Sequence, residues 1–154
     1  MLDAIIIGAG FSGLYQLHSL RDKLNLNCHL FEMGDEIGGT WHWNSYPGAR
    51  CDTESQAYCY YFDKNIYNKW NWTERYPGQR EIQNYLKFVA KELNLNKNIS
   101  LSSKVIKMNY IEGLNKWKIV LENGEKIETR FVVTAVGCLS KPNTPKINGI
   151  ENFK

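Results

Sequence analysis

"AIIIGAGFSGLYQLHSLRDKLNLNCHLFE", residues 4–32, changes its periodicity twice along its length. The strand read over residues 3–7 is built on Ala4-Ile5-Ile6-Ile7, an unbroken apolar run that suits burial on both faces and stops at Gly8. From Phe11 to Leu24 the apolar positions Leu14, Leu17, Leu20 and Leu24 recur three or four apart, which predicts a helix. Cys28 to Glu32, "CHLFE", then predicts a second short strand. Gly8, Gly10 and Gly13 stand in Gly-x-Gly-x-x-Gly spacing between first strand and helix. That pattern alone is short enough to arise by chance. Its place after a buried strand and at the start of a helix gives it physical content. Gly8 permits a tight turn, Gly10 lets a pyrophosphate approach the backbone, and Gly13 lets helix and strand pack closely. The uncapped helix end offers N–H groups and partial positive charge to phosphates. Glu32, about twenty residues on, can accept hydrogen bonds from both ribose hydroxyls of an adenosine, and its carboxylate should repel a 2′-phosphate. FAD or NAD fits such a half-site, and NADP does not. The competing reading is a glycine-rich turn that holds no ligand.

The rest of the composition narrows the classes. With 154 residues, 43% hydrophobic and 23% charged, the chain can bury one real core. Its net charge of +3 is small and its 19 basic residues are scattered, so neither nucleic acid nor an anionic membrane is an expected partner. No apolar run approaches the roughly 18 residues needed to span a bilayer. The chain begins directly with a strand-like run and carries no leader pattern, so a cytoplasmic location with free thiols is expected. Cys28, Cys51, Cys59 and Cys138 form no Cys-x-x-Cys pair, and no metal site is expected. The sequons at Asn71 and Asn98 then read as chance matches.

Beyond Glu32 a long irregular loop runs from Met33 to about Ala57, and aromatic residues concentrate between Trp41 and Tyr85. A helix is expected over Arg80–Leu93, with Ile82, Tyr85, Leu86, Val89 and Leu93 on one face. Strands are expected over Ser103–Ile111, Lys116–Leu121 and Lys126–Thr134, the last two joined by the Asn-Gly turn of Glu122 to Glu125. "FVVTAVG", from Phe131, reads as another buried strand. The predicted fold is α/β: a Rossmann-like domain with a βαβ unit, a parallel sheet and a small antiparallel excursion.

The loop "IGGTWHWNSYPGARCDTES", Ile37 to Ser55, is too irregular for a helix or strand and too aromatic for a linker. Its second glycine pair resembles one that approaches FAD in many flavoproteins. The whole string resembles the corresponding stretch of Baeyer–Villiger monooxygenases of the cyclohexanone and phenylacetone monooxygenase type. "GAGFSGL", "YCYYF", "WNWTERYPGQREIQNYLKFVA" and "VVTAVGCLSKPNTPKINGIENFK" follow that family in order and approximate spacing over essentially all 154 residues. The resemblance implies non-covalent FAD, NADPH as hydride donor and O2 as co-substrate. A C4a-peroxyflavin would convert ketones to esters or lactones, with sulfide oxidation as a side activity. Carried over residue by residue, it implies Gly8, Gly10, Phe11, Ser12 and Gly13 at the FAD pyrophosphate and Glu32 at the adenosine ribose. Gly39, Thr40, Trp41 and Trp43 would lie along the FAD, and Tyr58 and Val105 would touch it further on. Arg50, Cys51 and Asp52 would run beside the flavin toward the nicotinamide. Asp52 is the implied catalytic residue, pairing with an active-site arginine outside this sequence.

Plainer readings stand beside these. Trp41, Trp43, Tyr46 and Tyr58 could be core aromatics, Arg50 and Asp52 a structural ion pair, and Cys51 and Cys138 inert buried thiols. His42 reads as a variable loop residue, and His18 and His29 receive no role. "KWNWTERYPGQREI" is expected to pack the loop onto the following helix. In the family, the point reached at "GIENFK" precedes a fingerprint whose first two residues could be Phe153 and Lys154. Residues 1–154 are therefore expected to be the N-terminal FAD-binding domain, incomplete, with the NADPH domain and the rest of the FAD domain elsewhere. The complete enzyme is expected to be a monomer. The alternatives are an N- or S-oxidising flavin-containing monooxygenase and a non-catalytic flavin-binding fragment.

Overall fold

A computed structural model of the protein describes residues 1–141 and 143–153. Pro142 of the quoted C-terminal string and Lys154 of the expected fingerprint lie outside the described residues. The order of elements is β1 (Leu2–Ile7), α1 (Phe11–His18), β2 (Cys28–Phe31), α2 (Thr40–Trp43), α3 (Lys64–Lys69), α4 (Gln79–Glu92), β3 (Ile99–Ser100), β4 (Val105–Ile111), β5 (Lys116–Leu121) and β6 (Lys126–Thr134). One six-stranded sheet runs β3-β2-β1-β6-β5-β4. β1 pairs in parallel with β2 and with β6, whereas β5 pairs antiparallel with β4 and β6. The expected α/β fold with an antiparallel excursion is what the chain forms.

Period-two alternation splits β1 between two cores. Ala4 and Ile6 join Leu14, Leu17, Leu30, Ile82, Leu86 and Val89 under α1 and α4. Ile5 packs on the other face with Phe31, Ile119 and Leu121 from the antiparallel excursion. Burial of both faces explains why Ala4–Ile7 is apolar without interruption.

β6 is one strand with two tasks. Lys126 to Thr129 pair with β5, and Thr129 to Thr134 pair with β1. Thr129 is the crossover, opposite both Trp117 and Leu2, and is fully buried. Beyond it, no described strand pairs on the side away from β1. "FVVTAVG" is therefore not the buried strand expected: Phe131 is 51% and Val136 54% exposed.

Three further departures are local. The expected helix to Leu24 is α1 followed by a π-helical turn, Ser19–Lys23, which swings Leu24 out to 62% exposure. The same turn aims Arg21 at the end of α4, where its guanidinium donates to the carbonyls of Leu93 and Asn94, each at 2.8 Å. The expected irregular loop holds α2, and the aromatic stretch after it holds α3, capped by the Asp63 carboxylate accepting from the Asn65 N–H at 2.7 Å. β3 was not expected; it adds to β2 with Leu30 opposite Ile99. No helix among the described residues is long and apolar enough to cross a membrane.

Candidate functional site

The site forms at the C-terminal ends of β1 and β2, where an open α/β sheet presents its loops. Gly8 sits at φ +104°, and a Cβ there would lie 2.6 Å from the Ala135 carbonyl oxygen. A Cβ on Gly13 would lie 1.8 Å from the Gly8 carbonyl oxygen, so only glycine lets α1 start this close to β1. Gly10 ends the turn as a cap with no side chain to satisfy the first N–H groups of α1, which are left for an anion.

A second glycine turn faces the first. The Gly38 N–H donates to the Ala9 carbonyl at 3.1 Å, and Gly39, at φ +53°, then starts α2. A Cβ on Gly39 would be 2.8 Å from the Gly10 Cα. The two turns thus touch through bare Cα atoms, leaving a strip of backbone with no side chain in front of it. That surface suits an extended pyrophosphate-bearing cofactor.

Glu32 follows β2, is 5% exposed and points into this strip. Its carboxylate accepts the Ala9 N–H at 2.6 Å and the Gly34 N–H at 2.8 Å, tying the first glycine turn to the chain leaving β2. Each carboxylate oxygen retains acceptor capacity for a hydroxyl. Val105 packs with Phe31 in the second core, two residues after Ser103, whose N–H donates to the Glu32 carbonyl at 2.7 Å.

Aromatic residues close the other side. Trp41, 8% exposed, donates from Nε1 to the Tyr58 hydroxyl at 3.1 Å, and Phe11 meets Tyr58 edge-on at 4.9 Å. Burial pushes the Tyr58 phenol up, with the indole hydrogen bond opposing and the nearby Cys51 and Asp52 adding to the shift. The Tyr60 hydroxyl donates to the Phe11 carbonyl, and its N–H donates to the Tyr85 hydroxyl at 2.8 Å. Trp41, Tyr58 and Phe11 therefore form one wall, joined to α4 through Tyr85. Trp43 does not belong to it: its ring is 53% exposed and stacks edge-on against His42. Thr40 is exposed at the start of α2, and Ser12 is exposed in the first turn of α1. His42 packs over the second turn: a Cβ added at Gly34 or Gly38 would meet its side chain at 2.9 Å, and its Nε2 is 3.3 Å from Asp35.

Within the "GARCD" string, Ala49–Cys51 is held alongside residues 77–79. Arg50 bridges to Gly78, the Cys51 N–H donates to the Pro77 carbonyl at 3.0 Å, and the Gln79 N–H donates to the Ala49 carbonyl at 2.9 Å. Arg50 does not pair with Asp52; its guanidinium reaches Glu74 and the Tyr76 carbonyl, and Glu74 holds its pKa above the ordinary value. Asp52 is exposed and has no ion-pair partner among the described residues. Cys51 is buried, as expected, but Cys138 is exposed. Trp70 and Trp72 pack on Tyr85 at 5.5 and 5.0 Å, which is the expected docking of the aromatic string on α4. A cavity of about 660 Å³ lies under that string, between Ser55, Trp70, Trp72 and Tyr85. Neither glycine turn lines it. The bare backbone strip lies apart from this hollow.

Comparison with known proteins finds relatives that match nearly the whole chain. A family model described as an NAD(P)-binding Rossmann-like domain matches residues 6–71. A Baeyer–Villiger monooxygenase of Pseudooceanicola batsensis is 43% identical over 152 residues, which is 99% of this chain and 28% of the relative. A phenazine N-monooxygenase of Lysobacter antibioticus is likewise 43% identical over 152 residues, again 99% of this chain and 28% of the relative. The solved OTEMO complex with FAD and NADP superimposes with a TM-score of 0.89 at 38% identity, covering 99% of this chain and 29% of that one. The chain thus spans 28% of the length of these curated relatives.

Proposed function

We infer that residues 1–154 are the N-terminal, FAD-binding part of a Baeyer–Villiger-type flavin monooxygenase, and that the strip between the two glycine turns holds the cofactor. The observation that carries this is the contact of Gly10 with Gly39, a bare cradle that any Cβ would fill, within a chain matched end to end by such enzymes. Gly8, Gly10, Phe11, Ser12 and Gly13 would take the pyrophosphate, with Glu32 at the adenosine ribose and Val105 beside it. Gly39, Thr40, Trp41 and Tyr58 would border the rest of the FAD. Trp43, at 53% exposure, would reach it only from the rim. Bound FAD would supply the redox chemistry that activates O2. The whole enzyme would draw hydride from NADPH bound mostly outside these residues. It would turn ketones into esters or lactones, accept sulfides as a side reaction, and work as a cytoplasmic monomer.

Asp52 is assigned the catalytic role in that enzyme. It is an exposed carboxylate beside Cys51 and Tyr58 with no ion-pair partner among the described residues, so it is free to hold an arginine brought by another segment. Arg50 is assigned instead to the loop, because Glu74 already engages it.

The phenazine N-monooxygenase supports a second reading, oxidation of nitrogen, since it matches the same residues at the same identity. Product analysis of the full-length enzyme separates the two: a lactone from a cyclic ketone supports the first, and an N-oxide with no lactone supports the second. The FAD assignment is tested on this chain alone. Protein incubated with FAD and then dialysed should keep the flavin's visible absorption; a colourless product would overturn the assignment.

A further inference from the structure

Two glutamines of α4 that no cofactor-binding pattern singles out reach the second glycine turn. Gln79 stands at the first position of α4 and donates from Nε2 to the Trp41 carbonyl. Gln83, one turn on, donates from Nε2 to the Ile37 carbonyl at 3.1 Å and to the Glu36 carboxylate at 3.0 Å. The two side chains are themselves linked, Gln79 Nε2 to Gln83 Oε1 at 3.2 Å. The carbonyls they hold, Ile37 and Trp41, bracket Gly38 and Gly39. Gln83 does more than donate: its Cγ is 3.1 Å from where a Cβ on Gly38 would stand, so its stem covers the back of that glycine. Glu36 is tied to the same helix by Lys87, at 2.8 Å. The Gly38, Trp41, His42 and Trp43 N–H groups bond to Ala9, Gly38, Gly39 and Gly39 carbonyls, which leaves the Ile37 and Trp41 carbonyls for the two glutamines.

We propose that Gln79 and Gln83 are positioning residues: they clamp the Ile37–Trp41 turn from behind and hold Gly39 against Gly10 in the form that receives the cofactor. The proposal deepens the FAD-binding reading and rests on it for the ligand. α4 is the element suited to the task. It is anchored in the core by Ile82, Tyr85, Leu86, Val89 and Ala90, so it offers a fixed base for a turn that has two glycines at positive φ. The side chains must present N–H or O–H donors, since they face carbonyl oxygens.

The test uses two variants of this chain, Gln79→Glu and Gln83→Leu. A glutamate at position 79 keeps the side-chain length but turns the donor into an oxygen that repels the Trp41 carbonyl. It also adds a carboxylate to the first turn of α4, which favours the helix. A merely structural role would therefore leave the turn unchanged and the melting temperature unchanged or raised. Hydrogen exchange without cofactor should show the amides of Gly38, Trp41, His42 and Trp43 exchanging roughly three- to tenfold faster in either variant, the range expected for loss of one hydrogen bond. Amides of the β1–β6 ladder should be unchanged. FAD affinity, read by fluorescence titration, should fall by a similar factor because a smaller fraction of the chain is in the receptive form. Unchanged exchange in both variants, or an acceleration spread equally over the β1–β6 ladder, overturns the clamp. Faster turn exchange with unaltered FAD affinity overturns its link to the cofactor. Wild-type protein that takes up no FAD fails the cofactor reading itself, while the exchange measurement still decides the clamp.

Discussion

Asp52 and Gly39 make opposite demands on their surroundings, and substitutions should tell them apart. Asp52 is exposed with no ion-pair partner among the described residues, so Asp52→Asn should leave the melting temperature and FAD retention of this chain unchanged. In the full-length enzyme the same change should reduce product formation at least tenfold. A variant that loses FAD yet oxygenates normally when the cofactor is restored would refute the catalytic assignment. Gly39→Ala is the converse. At φ +53° the added Cβ costs about 1–2 kcal/mol of backbone strain, and it would stand 2.8 Å from the Gly10 Cα. The turns must part, so the loss in FAD binding energy should far exceed the roughly 1–2 kcal/mol expected in denaturant unfolding. The Gly-x-Gly-x-x-Gly spacing was readable because each of its glycines answers a steric need that shows in the chain's local order. The partner of Arg50 was not, because Glu74 stands in a separate segment and only the bridge from Arg50 to Gly78 brings it alongside.

Among the elements, α4, β4, β5 and β6 carry strong periodic patterns and formed within two residues of expectation. The π-helical turn and α2 could not be read the same way. A π turn leaves the leucine spacing intact to the eye, and a four-residue helix depends on tertiary bonds such as those from Gln79 rather than on propensity. The aromatic wedge between Phe11 and α4 was foreseen as packing but not as a hydrogen-bonded unit. Burial pushes the phenols of Tyr60 and Tyr85 well above their ordinary value, so both remain neutral in the folded chain. Their contribution to stability is full below the unfolded pKa near 10 and is lost as pH rises beyond it, because the unfolded chain then releases protons that the folded chain keeps. Unfolding free energies from urea titrations across that range should fall with a slope approaching about 1.4 kcal/mol per pH unit for each tyrosine. Tyr85→Phe should lower the slope by up to about 1.4 kcal/mol per pH unit; a variant with the wild-type slope would show that the loss arises at other groups.

At the scale of the whole molecule, β6 joins the two cores and also leaves the sheet open. Thr129 marks the change: before it the strand is paired on the β5 side, and after it only β1 is a neighbour among the described strands. The apolar run of the last segment predicted burial because such runs usually lie between two strands. Here Phe131 is 51% exposed with the Arg130 guanidinium 5.3 Å from its ring centre. Arg130 reaches back to Asp3 at 3.6 Å, one charge pair beside an otherwise apolar edge. An unpaired, apolar half-strand is a template for another strand, and a second copy of the chain offers the same one in solution. The chain alone should therefore associate as its concentration rises, measured by light scattering. Phe131→Lys should suppress this by placing a charge on the free edge, with little change in melting temperature because the ring is half exposed. Association that is undiminished in Phe131→Lys would place the sticky surface elsewhere, the exposed face of β4 at Ile106, Met108 and Tyr110 being next in line.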